Sequence, residues 1–186
     1  MARLLPELAA PGGEVDRWEL HRAAKYRLEA QPGLHLLQSN VTNLITEEGV
    51  VTGFHTWEGV PRLARNTLLC VGSFLRSRLE QGRLQEVSGR LGEMSYDELA
   101  LDLQTQGVPF ERAELTLDDG AEGPPYTVTF DRLAAGEVTE DGRVRRLEGL
   151  LACGSCVREL RYEEAAMEGR ALGASLPGRL GAPGPQ

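Results

Sequence analysis

The stretch Thr67-Leu68-Leu69-Cys70-Val71-Gly72-Ser73 decides the fold class of this chain. Five almost wholly apolar residues run into a glycine, a pattern typical of a central strand covered on both faces in a parallel sheet. The stretch Gly149-Leu150-Leu151-Ala152-Cys153-Gly154 repeats this pattern later in the chain. We therefore predict an α/β fold with a parallel sheet that contains both strands.

Alternating segments precede the first apolar run and indicate antiparallel strands. Strand-like residues occur at 34–38, 41–45, 50–56 and 60–64. Glu47-Glu48-Gly49 and Glu58-Gly59 supply turns between the later segments. The sequence therefore predicts an antiparallel β-meander in front of the parallel sheet.

Three helices are predicted, at residues 14–30, 96–106 and 162–175. Asp16, with Glu19 three residues later, fits a capping box in the first helix. Leu99, Leu101 and Leu103 are available for burial along the second. Between the second and third helices, turns alternate with short strands, of which residues 126–130 are the clearest.

The composition indicates one globular domain, because 186 residues with 41 % hydrophobic content can bury a core. A net charge of −8 gives no excess of basic residues for nucleic acid. The acidic residues between Glu93 and Glu122 account for that charge, and we interpret them as a solvated acidic helix and loop. Neither an apolar run of about 18 residues nor a secretory signal is present, so we expect no membrane segment and a cytoplasmic location.

Cys153-Gly154-Ser155-Cys156 has the C-x-x-C spacing of thiol redox centres and of half a zinc site. No second pair of ligands stands at zinc spacing, so we expect no metal site. The two cysteines are interpreted either as a thiol redox pair or, as we favour, as a small buried hydrophobe and a loop residue. The chain contains no G-x-S-x-G or Walker motif, and no residue is assigned a catalytic role.

Two junctions, Val71-Gly72-Ser73 and Cys153-Gly154-Ser155, join a predicted core strand to a glycine. Ligands of α/β folds lie outside the carboxyl ends of parallel strands, and glycine lets a pyrophosphate approach the backbone. The helix after the second junction offers N-terminal amides to an anionic group. The junctions and the meander together indicate a flavin or dinucleotide domain, while tight turns after core strands are the simpler alternative.

Several motifs in order carry a resemblance to a known family. Cys70-Val71-Gly72-Ser73-Phe74-Leu75 is similar to a T-x-G-T-F-L signature. Gly89-Arg90-Leu91-Gly92-Glu93-Met94-Ser95 resembles a G-R-x-G-x-x-x-S loop, one residue short. Tyr162-Glu163-Glu164-Ala165-Ala166-Met167-Glu168-Gly169 resembles a G-Y-E-E-A-A-x-Q-G element. The chain thus resembles the glucose-inhibited division protein A family, the tRNA uridine 5-carboxymethylaminomethyl modification enzymes, whose FAD-binding domain is Rossmann-like.

The resemblance implies a set of FAD contacts. Val41 would meet the adenine end through its backbone, and Ser95 would reach the cofactor from the G-R-x-G loop. Gly154 and Ser155 would lie near the pyrophosphate and ribityl chain. Gly72 and Ser73 occupy the second glycine turn of the family. The helix that begins at Tyr162 would point its N-terminus at the flavin ring.

The sequence also departs from the family pattern. No G-x-G-x-x-G unit precedes Glu14, so we expect residues 14–176 to form an incomplete FAD-binding domain that lacks the N-terminal βαβ unit. Residues 1–13 would be a weakly ordered lead-in and residues 177–186 a disordered tail.

Two functional interpretations remain open beside the thiol one. The first is a flavin-dependent redox role related to tRNA wobble-uridine modification. The second is a truncated, non-catalytic remnant or interaction module that no longer binds FAD. The resemblance gives no basis for tRNA binding by this chain alone. A sheet that lacks the strand of the missing unit would expose an edge and apolar surface, and this predicts self-association.

Overall fold

The computed structural model describes residues 16–117 and 124–176. The predicted lead-in, the predicted tail and part of the acidic segment lie outside these ranges. The elements run in the order α1 (Arg17–Glu29), β1 (Val41–Glu47), β2 (Val50–Thr56), β3 (Pro61–Leu63), β4 (Thr67–Leu69), β5 (Arg78–Gln81), β6 (Leu84–Glu86), α2 (Asp97–Thr105), β7 (Phe110–Leu117), β8 (Tyr126–Leu133), β9 (Leu150–Ala152) and α3 (Tyr162–Ser175). Parallel and antiparallel sheets occur together, which confirms the predicted α/β class.

The predicted meander is confirmed. β1 pairs antiparallel with β2, and β2 pairs antiparallel with β3. The first turn has positive φ at Glu48 and Gly49, as a tight reversal requires. Gly53 lets β3 approach closely, because a Cβ there would lie 2.2 Å from the carbonyl oxygen of Arg62.

The predicted strand at residues 34–38 is wrong. The segment is irregular, and Leu34, Leu36 and Leu37 are 44, 49 and 46 % exposed. A β-prone segment becomes a strand only where a neighbour pairs with it and a surface covers its side chains. Within the described residues no strand pairs with this segment.

The two apolar runs form a parallel pair, as predicted. β4 and β9 pair with Thr67 opposite Leu150 and Leu69 opposite Ala152. All three residues of β9 are buried. The prediction of a central strand covered on both faces is wrong for β4, because Leu68 is 38 % exposed and the sheet has two strands in the described part of the chain.

The sheets meet at Gly149, which precedes β9. Its carbonyl accepts the N–H of Thr67 at 2.9 Å, and the adjacent Glu148 carbonyl accepts the N–H of Val51 at 2.7 Å. A Cβ on Gly149 would lie 2.7 Å from the carbonyl oxygen of Val51. This close approach joins the meander to the parallel pair.

A second antiparallel sheet has the strand order β6-β5-β8-β7. The predicted strand at 126–130 is confirmed and continues to Leu133. A separate cluster of buried side chains lies on this sheet, with Leu79, Val128 and Phe130 among its members. Asp131 of β8 is also buried and pairs with Arg76 and Arg112.

The helices begin and end close to their predicted positions. The Asp16 carboxylate accepts the N–H of Glu19 at 2.8 Å and caps α1. Along α2, Leu99 and Leu103 are buried in the main core, but Leu101 is 58 % exposed, so its predicted burial is wrong. Residues four apart share a helix face, whereas the residue midway between them points to the opposite side.

The acidic segment is more than a solvated surface. The Asp102 carboxylate of α2 accepts the N–H of Leu44 in β1 at 2.9 Å. Glu111 of β7 forms an ion pair with Arg132 of β8 at 2.7 Å. These carboxylates hold elements together, so the interpretation as a freely solvated helix and loop is wrong for them. Among the described helices, none is both long and apolar enough to cross a membrane.

Candidate functional site

The two predicted glycine turns lie side by side at the carboxyl end of the parallel pair. Leu69 and Ala152 face each other where β4 and β9 end. Cys153 donates its N–H to the carbonyl of Leu69 at 3.0 Å, so the alignment continues one residue beyond the strands. Gly72 has φ +55° and Gly154 has φ +84°, a left-handed conformation that glycine adopts at little cost. One edge of the fold therefore presents both turns.

The Gly72 turn packs tightly against the loop that resembles the G-R-x-G motif. The buried Ser73 hydroxyl donates to the carbonyl of Gly89 at 3.1 Å. A Cβ on Gly89 would lie 2.3 Å from the Phe74 ring, so a larger residue needs that ring to move. The Phe74 ring stacks on Tyr96 with centroids 5.4 Å apart. Ser73, predicted to contact FAD, thus uses its hydroxyl within the chain.

Ser95 joins the same turn to the start of α2. Its oxygen accepts the N–H of Ser77 at 2.8 Å and lies 3.3 Å from the carbonyl oxygen of Phe74. It also contacts the Asp97 carboxylate, which Arg78 approaches to 2.9 Å. Partial burial raises the pKa of the Asp97 carboxyl, but the hydrogen bonds from Arg78 and Ser95 outweigh this, and the net pKa is lowered from 3.8.

The sequence interpretation missed Ser88, which closes the G-R-x-G loop from inside. Ser88 is buried, and its hydroxyl contacts the carbonyl oxygens of Arg90 and Glu93. The N–H of Glu93 donates to the Arg90 carbonyl at 2.9 Å, which completes a tight loop. A small hydroxyl residue directly before the loop motif was the available signal.

Val41 begins β1 beside this loop. It is half-buried against the main core and pairs with Thr56 of β2. The side-chain amide of the preceding Asn40 donates to the sulfur of Met94 at 3.5 Å. The structure therefore brings the start of β1 to the loop that carries Ser95.

The Gly154 turn is held in a different way. Its N–H donates to the Glu168 carboxylate of α3 at 2.7 Å, and Arg158 pairs with the same carboxylate at 2.9 Å. A Cβ on Gly154 would have nothing within 4 Å, so the space beside the turn is open. Ser155 follows it and is half-buried.

Tyr162 is the first residue of α3 and is 61 % exposed. The N–H of Arg161 donates to the Glu164 carboxylate at 2.8 Å, and Glu163 adds a second acid to the first turn. The positive N-terminal end of the helix dipole is therefore already stabilised by the negative charges of these two acids. An anionic ligand at this helix end would meet two carboxylates.

A cavity of about 910 Å³ lies between α3, residues 138–142 and the end of β9. Cys153 and Glu168 line it, so it borders the Gly154 turn. The seven residues predicted to contact FAD do not line it. No three His, Cys, Asp or Glu side chains cluster as metal ligands would within residues 16–117 and 124–176.

All three cysteines are free thiols, and two of them are in contact beside the two turns. Cys153 lies against Cys70, with 3.4 Å between the sulfurs, so the two side chains are in contact across the parallel pair. Cys156 is fully buried in the main core, and its thiol donates to the carbonyl of Cys153 at 3.3 Å. It lies in the turn after β9, as interpreted, but its burial in the core shows that its place there is not incidental, and burial raises the pKa of its thiol to about 12.

A model of the family described as glucose inhibited division protein A matches residues 4–122. The chain belongs to this family. The resemblance inferred from its motifs is thereby confirmed.

Curated relatives of this glucose inhibited division protein A family member are tRNA uridine 5-carboxymethylaminomethyl modification enzymes MnmG. The protein of Chlamydia abortus is 36 % identical over 107 residues, which cover 58 % of this chain and 18 % of the relative. The protein of Geotalea uraniireducens is 30 % identical over 128 residues, 69 % of this chain and 20 % of the relative. The match spans about a fifth of each of these relatives, and it relates the chain to tRNA modification enzymes.

Solved structures support the same family fold. The GidA-related protein from Thermus thermophilus superposes with a TM-score of 0.85 at 39 % identity, over 95 % of this chain and 76 % of that one. Aquifex aeolicus GidA gives a TM-score of 0.78 at 13 % identity, over 86 % of this chain and 49 % of that one. The predicted Rossmann-like α/β fold class is confirmed.

Proposed function

We propose that this chain binds FAD at the edge formed by the Gly72 and Gly154 turns and serves a flavin-dependent redox role related to tRNA wobble-uridine modification. The observation that carries the proposal is the pair of left-handed glycine turns after neighbouring parallel strands. Cofactors of α/β folds lie outside this end of the strands. Membership of the glucose inhibited division protein A family supports the same cofactor.

The residues present fit a cofactor at this edge in two respects. The space beside Gly154 is open, and at Gly72 a Cβ would meet only the Phe74 ring, at 3.6 Å. The backbones of both glycines and Ser155 would hold the pyrophosphate and ribityl chain, while Val41 would meet the adenine end. Bound FAD would supply the hydride or electron transfer. The hydroxyls of Ser73 and Ser95 would support these loops rather than touch the ligand.

One contact opposes the proposal. The N–H of Gly154 already donates to the Glu168 carboxylate at 2.7 Å, the position that a cofactor phosphate would need. Binding therefore requires Glu168 to leave, and its negative charge repels a phosphate nearby. This observation favours the alternative, an interaction module without FAD.

The deciding experiment is the visible absorption spectrum of the purified protein, before and after addition of FAD and desalting. We expect retained flavin, and we expect Glu168→Gln to tighten binding about tenfold, or about 1.4 kcal/mol. Glu114→Gln removes the same charge from an exposed position on β7, outside this edge, and should leave the affinity unchanged. A wild type and a Glu168→Gln variant that both stay colourless would overturn the proposal and support the alternative.

We also propose that the chain self-associates through the exposed apolar side chains of α1 and of residues 34–37. Trp18 and Tyr26 of α1 are 69 and 74 % exposed, and three leucines beside them along the chain are also exposed. Exposed apolar surface of this kind drives association. Light scattering should show a dimer or larger species that Trp18→Ser weakens, and a monodisperse monomer would contradict the proposal. A cytoplasmic location stays a prediction from the sequence.

A further inference from the structure

Cys70 and Cys153 are placed where a bond between them needs little movement. The parallel register brings Leu69 opposite Ala152, and the two cysteines are the next residues on each strand. Adjacent strands lie about 4.8 Å apart, within the range of Cα separations that a disulfide bridges. The sulfurs are already 3.4 Å apart, so rotation of the side chains closes most of the remaining gap to about 2.05 Å.

The two thiols have different exposure. Cys70 is exposed to solvent, while Cys153 is 7 % exposed behind it. A dissolved oxidant therefore has more access to Cys70 than to Cys153, whose sulfur lies 3.4 Å from the sulfur of Cys70. This arrangement separates an attacking thiol from a resolving thiol.

The electrostatics support the same division. A hydrogen bond from the Cys153 thiol lowers the pKa of Cys70, and this outweighs the desolvation and the nearby charge of Glu168 that raise it. The same hydrogen bond and burial raise the pKa of Cys153. The thiolate is the nucleophile in cysteine chemistry, so Cys70 is the more reactive of the pair.

We propose that Cys70 and Cys153 form a reversible intramolecular disulfide when the protein meets a hydroperoxide. The Cys70 thiolate attacks one oxygen of hydrogen peroxide, the O–O bond breaks, and Cys70 becomes a sulfenic acid as hydroxide leaves. The Cys153 sulfur then attacks the Cys70 sulfur, the S–O bond breaks, and a second hydroxide leaves. The two thiol protons convert both hydroxides to water, and two electrons pass from the thiols to the peroxide. A dithiol reductant returns both cysteines to thiols by exchange.

This bond would tie the ends of β4 and β9 directly below the two glycine turns. The inference does not rest on FAD binding, because it uses only the positions of the two sulfurs. Cys156 offers no alternative resolving thiol, since its side chain is buried in the main core with its thiol hydrogen-bonded to the carbonyls of Cys153 and Leu69.

The experiment treats the reduced full chain with hydrogen peroxide, blocks remaining thiols with a maleimide and maps the tryptic peptides by mass spectrometry. Trypsin places Cys70 in residues 66–76 and both other cysteines in residues 147–158. We expect a linked pair of these peptides in the monomeric protein, with fragmentation assigning the bond to Cys153, and its loss after dithiothreitol. Three outcomes would overturn the proposal. They are a disulfide between Cys153 and Cys156 within residues 147–158, disulfides only between two copies of the chain, and peroxide treatment that leaves all three thiols free.

Variants sharpen the result. Cys70→Ser should abolish the link and leave Cys153 and Cys156 as thiols, whereas the Cys156→Ala control should retain it. Cys153→Ala should slow alkylation of Cys70 at neutral pH by about threefold or more, because the hydrogen bond that favours its thiolate is gone. An unchanged alkylation rate in a folded Cys153→Ala variant would contradict the division of roles. If Cys156→Ala does not fold, the wild-type peptide map still decides the proposal.

Discussion

The turns at Gly72 and Gly154 follow equivalent strands but are stabilised in opposite ways. The Gly72 turn is fixed by packing and by buried hydroxyls, with Ser73 bonded to the Gly89 carbonyl and Ser95 bonded to the Ser77 amide. In the Gly154 turn the carbonyl of Gly154 accepts the N–H of Val157 at 2.9 Å, its N–H is held by one carboxylate from α3, and space remains open beside it.

We call the Gly72 turn, with the loop packed against it, the rigid half of this edge. The Gly154 turn, with the Glu168 carboxylate, is the adjustable half. Close packing resists any change of volume, whereas a partly exposed ion pair contributes little to stability, and its groups exchange partners readily. A ligand at this edge would therefore find the Gly72 side already formed and would have to displace a side chain on the Gly154 side.

Overfilling the rigid half should give the largest effect. We expect Gly89→Ala to destabilise the protein by about 2 kcal/mol, since its Cβ would lie 2.3 Å from the Phe74 ring. Urea unfolding measures the change. The control Gly169→Ala, in α3 with nothing within 4 Å, should stabilise by about 0.5–1 kcal/mol. Adding Phe74→Leu should recover part of the loss, and equal stability of Gly89→Ala and wild type would refute the tight packing.

Removing a serine hydroxyl should destabilise the rigid half more than the adjustable half, and this is the second largest effect that we expect. Ser95→Ala leaves the N–H of the buried Ser77 without its partner, and we expect a loss of about 1–2 kcal/mol. Ser155→Ala, beside the adjustable turn, should change the free energy of unfolding by about 0.5 kcal/mol or less. Chemical denaturation of both variants checks the contrast, which equal losses would contradict.

The sequence predicted the strands of this edge better than its contacts. The runs at Leu69 and Ala152 are short and apolar and end near glycine, and in an α/β fold such a pattern is typical of a buried strand. Residues 34–38 show a similar preference, but their leucines needed a neighbouring strand that local pattern cannot supply.

The candidate site was predictable as a place, not as a set of bonds. Gly72 and Gly154 followed from the strand ends, whereas the contacts of Ser73 and Ser95 with FAD were expected from a family resemblance and stay predictions. The sequence did not reveal that both hydroxyls bond within the chain, or that Glu168 reaches the amide of Gly154 from fourteen residues away. The approach of Cys70 to Cys153 could have been inferred, because both residues directly follow strands predicted in one parallel sheet.

Breaking the adjustable half should cost less. Glu168→Ala removes the acceptor of the Gly154 N–H, and we expect a loss of about 1 kcal/mol or less, because the open turn can bond to water instead. Hydrogen exchange should be faster at the amide of Gly154. Arg158→Ala removes the other partner of the same carboxylate and should leave this amide protected. Unchanged exchange in Glu168→Ala would show that the carboxylate does not hold the turn.

The smallest effect concerns the carboxylate–arginine pair of the rigid half. Asp97 and Arg78 lie 2.9 Å apart with side chains 40 and 45 % exposed, so water screens the pair and we expect about 0.5 kcal/mol from it. The pKa of Asp97 is lowered in the folded state from 3.8, so this stabilisation is present above pH 3.8 and is lost as the pH falls through the lower folded value. Urea unfolding of wild type and Asp97→Asn should therefore differ at pH 7, and the difference should shrink below pH 3.8. A difference that stays constant to the lowest accessible pH would show that the ionised carboxylate contributes nothing to this half of the edge.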